Sequence, residues 1–472
     1  MSVQRRFHPA IALGLVVAAL ALTVIAILVS RAGVRITDAS PVDVAEGVPI
    51  TAPVRLIFSQ PMDTPSVEAR FHIEPAVAGR LVWEGREATF WPHSALAPET
   101  HYTVTVEAGA ASQRGSTLQE DYRWHFRTRA PGLLFLGRAQ PGEGERQLFV
   151  AASDGTSIVG SSTQQLTDHA GGVWDYAVHP LGESIVYSVL RDDGGSDLWR
   201  MDRDGANQRI LLGCPGAACL NPAWSADGWQ LAYERRDIWA DAPNLDPNAG
   251  RIWLFDLEKK RQRPLFDYDV PLHSPVWAPQ GERLAYVSPA LPGIEVYDLP
   301  TDELQQYGNE WGAAPVWSPD GTQLVLPELM LAGESLVVRL VRIDLETDEL
   351  LDISGGDDEE GLLVKDVAPA WSPAGGWIAT ARQYLDEERW TPGRQIWLTR
   401  PDGTETYSLL IEPMGDHYAL TWRPDGAALA YVRSDLSEGP QPVPDVSVWV
   451  FDLIQREPAL VARDGVLPRW LP

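Results

Sequence analysis

A short apolar strand closed by tryptophan recurs along this chain, at Trp174, Trp224, Trp277, Trp317, Trp371, Trp422 and Trp470, with gaps of 50, 53, 40, 54, 51 and 48 residues. A unit of about 50 residues is the length of one four-stranded propeller blade. A turn word follows each tryptophan but the last: HPLGE, SADGW, APQGE, SPDGT, SPAGG and RPDGA. Proline presets φ at the first turn position and glycine supplies the positive φ that sends the chain back as a hairpin. A second strand comes next, such as Gln230 to Glu234 (QLAYE), and then a third, such as RIWLFD or SVWVFD. A polar turn leads into a short fourth strand, as at Gln208 to Leu212.

The phase of the repeat at its two ends closes the ring. Gly132 to Thr167 supplies a second, third and fourth strand with no tryptophan strand before it, whereas the last residues, VLPRWLP, are a tryptophan strand with nothing after it. Together they complete one blade. Six intact units and this composite make seven, and sharing a sheet between both ends removes exposed edges. An open solenoid has no reason to split a unit in this way.

The words PAWSADGWQLAY, PVWSPDGTQLV and LTWRPDGAALAY resemble the repeats of TolB-type propellers, which are also found in the N-terminal propeller of prolyl oligopeptidase-like enzymes. The resemblance covers about 340 residues. It implies the fold, because these words are turn and packing chemistry shared by proteins of unrelated activity.

Residues 36–130 alternate short β-branched and aromatic runs with Pro and Gly turns: Val54 to Phe58, Phe71 to Ile73, Arg80 to Trp83, Thr89 to Trp91, Tyr102 to Val106 and Tyr122 to Thr128. Such spacing predicts an antiparallel sandwich of about seven strands. The words PITAPVRLIFSQPMD, FWPHSALAPETHYTVTV and YRWHFRT, in that order, resemble the bacterial Ig-like domain of S-layer and other exported proteins. That resemblance implies a spacer or adhesion module without chemistry. His72, His93, His101 and His125 fit no metal-ligand spacing and read as strand-surface residues.

Ala10 to Val29 is twenty residues without a charge. As a helix it reaches about 30 Å, enough to cross a bilayer. Arg5 and Arg6 precede it and Arg31 and Arg35 follow, so the short tail before it gives only a weak N-in bias. A cleaved signal peptide is the alternative, but its apolar region is shorter and ends in a small-residue cleavage site. Either reading puts the chain after about residue 35 outside the cytoplasm.

Thirty-eight Lys and Arg against 65 Asp and Glu leave a net charge of −27, which opposes binding to nucleic acid. A serine peptidase needs a G-x-S-x-G elbow. The nearest word, Gly333-Glu334-Ser335-Leu336-Val337, lacks its closing glycine. No H-E-x-x-H, P-loop or strand-linked G-x-G-x-x-G is present. Aligning the loops that lead into each tryptophan strand brings Asp168 and His169, Asn221, His273, Trp311, Lys365 and Asp366, and Asp416 and His417 to a common offset. Such a rim holds ordinary donors for a divalent cation or a polar ligand, or else polar caps on strand ends. Cys214 and Cys219, in CPGAAC, are expected to pair as a disulfide outside the cytoplasm, with free thiols or a metal site as the alternatives. The acidic runs Asp357 to Glu360 and Asp386 to Glu388, and Asn244, Asp246 and Asn248, read as solvated loop charge.

The chain therefore reads as all-β. A seven-bladed propeller over 131–472 has its first blade closed by the C-terminal strand, an Ig-like β-sandwich spans 36–130, and an N-terminal tail and transmembrane helix span 1–35. The expected function is non-catalytic recognition of a protein, peptide or glycan by a single-pass membrane protein that needs no cofactor. Two alternatives stand beside it: an extracytoplasmic hydrolase or lyase acting at the channel mouth, and a structural component of the cell envelope.

Overall fold

Glycine-led turns separate short strands, some with period-two burial, such as Val54–Phe58, and others buried on both faces, such as Gly132–Gly137 and Ser184–Leu190. The computed structural model describes residues 33–152, 163–238, 250–267, 270–289, 292–355, 362–437 and 445–472, and these are strands and turns with one five-residue helix, Thr64–Glu68. Among them no helix is long and apolar enough to cross a membrane; the expected span at residues 10–29 lies outside the described residues, as do Asp357 to Glu360 and Asn244, Asp246 and Asn248. Two compact units divide the chain, Met1–Val48 with Ala52–Thr128, and Pro49–Thr51 with Arg129–Pro472.

The first unit holds two four-stranded sheets. One is ordered Ile36–Ser40, Val54–Phe58, Glu87–Pro92, Gly79–Glu84, and the other Ala45–Val48, Tyr122–Thr128, His101–Val106, Phe71–Glu74. Val54–Phe58 and His101–Val106 bury alternate residues, so Leu56, Phe58, Val104, Trp124 and Phe126 form the core between them. His72 and His125 lie at its surface, 3.4 Å from Glu107 and Asp43.

Among the described residues, the strands of the second unit fall into seven groups of four, antiparallel within each group. The second sheet contains Val173–Val178, Ser184–Leu190, Ser196–Asp202 and Arg209–Leu212; the third contains Ala217–Trp224, Gln230–Asp237, Gly250–Asp256 and Arg261–Pro264. The fourth runs His273–Trp277, Arg283–Ser288, Gly293–Asp298, Glu303–Gly308, and the fifth Val316–Trp317, Gln323–Ala332, Ser335–Asp344, Leu350–Asp352. The sixth runs Val364–Trp371, Ile378–Tyr384, Gln395–Thr399, Thr406–Leu410, and the seventh Gly415–Trp422, Ala428–Asp435, Val446–Asp452, Glu457–Arg463. The first sheet takes three strands, Gly132–Gly137, Gln147–Ala151 and Thr163–Gln165, from the start of the unit and Val466–Leu471 from its end. Single parallel bridges, Ser196 to Ala218 and Val338 to Lys365, join the second sheet to the third and the fifth to the sixth.

Each turn word does the same work. Gly182, Gly228, Gly281, Gly321, Gly375 and Gly426 all have φ between 61° and 76°, which only glycine adopts without strain. In SADGW, SPDGT and SPAGG the serine hydroxyl accepts the amide of Gln230, Gln323 or Trp377, which pins the returning strand.

The tryptophans fasten neighbouring sheets. Nε1–H of Trp224 donates to the Ala177 carbonyl at 3.4 Å, Trp317 to Val276 at 3.0 Å, Trp422 to Ala370 at 2.9 Å and Trp470 to Thr421 at 3.1 Å. In each case the acceptor is the residue just before the closing position of the preceding sheet. That rule corrects the reading of Trp174. Val178 pairs with Ile185 and precedes the turn as Trp224 pairs with Leu231, so Val178 closes the strand; Trp174 stands four residues earlier and is 56% exposed.

Candidate functional site

The leading strands of the first to fourth sheets border a cavity of about 410 Å³, walled by Asp175–Val178, Asn221–Trp224, Ser274–Trp277, Pro180 and Arg469. Among the described residues, six of the seven leading strands carry a bulge or register break, its skipped residues two to four places before the closing position. At five of them a residue other than glycine takes a positive φ: Asn221, Ser274, Ala368, Ala419 and Leu467. A bulge re-aims the backbone, and a left-handed non-glycine residue costs on the order of 1 kcal/mol, so neighbouring contacts must hold it.

Carboxylates supply two of those contacts. The Asn221 amide donates to Asp175 Oδ2 at 2.5 Å and the Ser274 amide to Glu234 Oε1 at 2.6 Å. Asn221 Nδ2 donates to the same Glu234 oxygen at 2.6 Å, and Arg236 closes on Glu234 Oε2 at 2.6 Å. Asp175 also accepts a hydrogen bond from Ser188 Oγ. Burial pushes the Asp175 carboxyl up to about 6, against the lowering effect of its two donors and of Arg469. This relay links the second, third and fourth sheets from inside. Asp175, Glu234 and Arg469 escaped the sequence analysis, because their partners lie on other strands and Asp175 became visible at this offset only once Val178 was placed at the strand end.

The rim residues predicted from spacing separate. Asp168 is exposed, and His169 Nε2 lies 3.3 Å from Tyr187 Oη with its ring on Trp199. Counted from Val178, both fall well before the shared offset. Asn221 and His273 do meet around Glu234, where burial holds the His273 pKa down and Glu234 opposes it. Trp311 packs under Lys365, whose Nζ is 5.1 Å from the ring. Asp366 turns inward to Arg382, with Nε to Oδ1 at 2.7 Å and Nη2 to Oδ2 at 2.6 Å. Asp416 accepts Arg394 through both oxygens; burial raises its pKa, but these bonds outweigh it and the net shift is downward. Of the expected rim residues, Asn221 and His273 come together at Glu234 and the others have separate partners; among the described residues no group of three or more His, Cys, Asp or Glu is placed to hold a metal ion. Their side chains point to partners on their own or adjoining strands. Asp386 pairs likewise with Arg389, at 2.8 Å.

His417 is fully buried, and its Nδ1 lies 2.7 Å from the Arg394 carbonyl oxygen. A carbonyl only accepts, so Nδ1 carries the proton and Nε2 is bare, 3.6 Å from Glu412. Burial drives this pKa below the usual histidine value, against the bond to Arg394 and the Glu412 charge. A depressed pKa favours the neutral form in the fold. Its contribution to stability is complete above about pH 6.5 and falls away as the pH drops through the lower folded value. Unfolding free energy measured from pH 7.5 to 5.0 should fall less steeply in His417→Gln than in the native chain; parallel slopes would remove this assignment.

Cys214 and Cys219 form a disulfide, with both residues buried. For so short a loop the chain-entropy contribution is about 2 kcal/mol. The Cys214→Ala, Cys219→Ala double variant should lose that amount in a denaturant titration, and no loss would make the bridge energetically idle.

A second feature lies where the fifth and sixth sheets place their loops. In an antiparallel four-stranded sheet the hairpin between the second and third strands shares an end with the start of the first. At that end Trp311 packs on Lys365, Lys365 lies opposite Gln383, and Gln383 Nε2 donates to the Thr391 carbonyl at 2.8 Å, beside Trp390. The hairpin of Gln323–Ala332 and Ser335–Asp344 borders Lys365 through Val338 and carries Leu331 and Leu336 at its tip. Leu331 is 74% exposed, Leu336 63% and Trp390 55%.

Residues 31–128 match the model of the bacterial Ig-like domain family. The chain is 31% identical over 100 residues to the Tol-Pal system protein TolB of Alcanivorax borkumensis, a match that spans 20% of this chain and 23% of that relative. Among solved structures it is similar to a prolyl endopeptidase (TM-score 0.51, 13% identity, 72% of this chain and 49% of that one). It is also similar to a puromycin-hydrolyzing peptidase of Mycobacterium tuberculosis (TM-score 0.50, 16% identity, 70% of this chain and 53% of that one). At these identities the likeness is one of fold, and it takes in about half of each peptidase chain. The chain thus joins a bacterial Ig-like domain to a TolB-like, propeller-like β fold.

Proposed function

We propose that this chain is a non-catalytic recognition or scaffold protein of the cell envelope. Its seven-bladed propeller, sealed by the last strand, presents one loop face to a protein partner. The observation that carries this reading is the cluster of exposed apolar side chains, Trp311, Leu331, Leu336 and Trp390, on neighbouring loops of the fifth and sixth sheets. Exposed apolar groups gathered together and rimmed by charge are the usual mark of a protein interface, and Trp is enriched among the residues that dominate binding. The relative named for the Tol-Pal system supports a partner in the envelope. The Cys214–Cys219 disulfide and the apolar run at 10–29 support an anchored, extracytoplasmic setting.

Capture of partners by the full chain from native membranes, repeated with Trp311→Ala, Trp390→Ala and Leu331→Ser combined, tests the face. The variant should fold normally and lose at least one partner that the native chain retains. An unchanged set of partners would overturn the proposal. With a net charge of −27 on the chain, retention should also weaken as salt is raised.

A further inference from the structure

Most arginines on or next to the leading strands close on a carboxylate. Arg236 reaches Glu234 at 2.6 Å, Arg382 reaches Asp366 at 2.6 Å, and Arg433 reaches Glu412 at 2.8 Å. Arg469 differs. It pairs through its backbone with Leu134, its side chain is exposed into the cavity, and its guanidinium carbon sits 5.6 Å from the ring of Tyr176. Among the described residues no carboxylate lies within salt-bridge distance of it.

The groups around it leave a cation in a concave, partly apolar setting. Asp175, the nearest acid of the cavity wall, spends its oxygens on Ser188 and the Asn221 amide. Glu234 is occupied by Arg236, Asn221 and the Ser274 amide. Trp224, Trp277 and the prolines of the same strands supply apolar walls. A guanidinium stacked on an aromatic ring keeps its planar donors free for an oxyanion, and low-dielectric walls strengthen that attraction. We propose that the cavity is a binding site for a small ligand bearing one oxyanion on an apolar body, with Arg469 as the counter-charge. This site is separate from the loop face and does not rest on it.

Charge within the cavity makes the binding depend on pH. Burial pushes the Asp175 carboxyl up to about 6, the Arg469 charge lowering it and the Glu234 charge raising it. Above that pH its charge offsets Arg469; below it the guanidinium acts alone. Glu234 lies 2.6 Å from Arg236, and burial lowers the pKa of His273 beside it, against the Glu234 charge. Removing one like charge from the pocket should tighten oxyanion binding by about tenfold.

Benzoate is the probe, titrated into the full chain by saturation-transfer NMR and calorimetry at pH 5.5 and 7.5. Binding should be about tenfold tighter at pH 5.5, lost in Arg469→Gln, and brought at pH 7.5 to its acid strength by Asp175→Asn. Benzamide, of the same shape without the charge, should not bind. Displacement of benzoate by inorganic phosphate would extend the site to oxyanions in general; no displacement would confine it to carboxylates. Equal benzoate binding by Arg469→Gln, equal binding of benzamide, or no binding of benzoate at pH 5.5 would each overturn the proposal. Arg469 is exposed, so its substitution reads the site even where Asp175→Asn fails to fold.

Discussion

Replacing Asp366 with alanine should lower the unfolding free energy of the propeller-like unit by about 3–5 kcal/mol. The reason is what remains behind. Arg382 is 2% exposed and Asp366 fully buried, and the two are joined by paired hydrogen bonds of 2.7 and 2.6 Å. Arg382 donates once more to the Ser354 carbonyl at 2.7 Å, and its guanidinium carbon lies 5.3 Å from the ring of Trp397. Burial lowers the Arg382 pKa, but the Asp366 charge and hydrogen bonds outweigh that effect and hold the net value above the ordinary one. With the carboxylate gone, a desolvated cation would be left against apolar strands. Removing both charges with shape kept, as in Asp366→Leu with Arg382→Met, should recover most of the loss, since a buried ion pair gains little over well-packed apolar groups. Guanidinium titration of the single and double variants checks both points. A single variant within about 0.5 kcal/mol of the native chain, the range of an ordinary surface substitution, would show that the site is wetter than the structure has it.

The same residue shows where reading the sequence succeeds and where it stops. Asp366 was noticed because it falls at a fixed distance before Trp371, and that distance follows from the repeat. Its partner Arg382 comes sixteen residues later, and only the pairing of Val364–Trp371 with Ile378–Tyr384 brings the two together. Local chemistry was legible for the same kind of reason. Gly228 and Gly321 need positive φ wherever that turn is made, and Val54–Phe58 buries alternate residues because a half-buried strand has a period of two. The bulges at Asn221, Ser274, Ala368, Ala419 and Leu467 left no such trace. Neither glycine nor a turn word marks them, and at Asn221 and Ser274 they answer to carboxylates on neighbouring strands. Trp174 misled for a related reason: the residue type matched the pattern, yet the hairpin register puts Val178 at the strand end.

Trp470→Ala should be as costly, about 3–5 kcal/mol, and should expose an edge that the native fold conceals. Trp470 is 6% exposed and packs in one cluster with Leu133, Phe135, Ala430, Val448 and Val450, drawn from the first and seventh sheets. Its strand, Val466–Leu471, lies antiparallel to Gly132–Gly137, with Trp470 opposite Leu133, and its indole N–H holds the Thr421 carbonyl of the seventh sheet at 3.1 Å. One side chain therefore fastens the end of the unit both to its start and to the sheet before it. Trp470→Phe retains most of the packing and gives up that bond, so it should cost only about 1 kcal/mol beyond the change in area. Trp390→Ala removes a comparable ring from a loop where it is 55% exposed and should change stability by less than about 0.5 kcal/mol. Loss of the strand's anchor should also make the bond after Arg469 a trypsin site in the otherwise folded chain, because cleavage follows the population of the opened strand. If Trp470→Ala and Trp390→Ala were equally stable and equally resistant to trypsin, the pairing of the last strand with Gly132–Gly137 would contribute none of the stability assigned to it, and that stability would have to come from contacts between the other sheets.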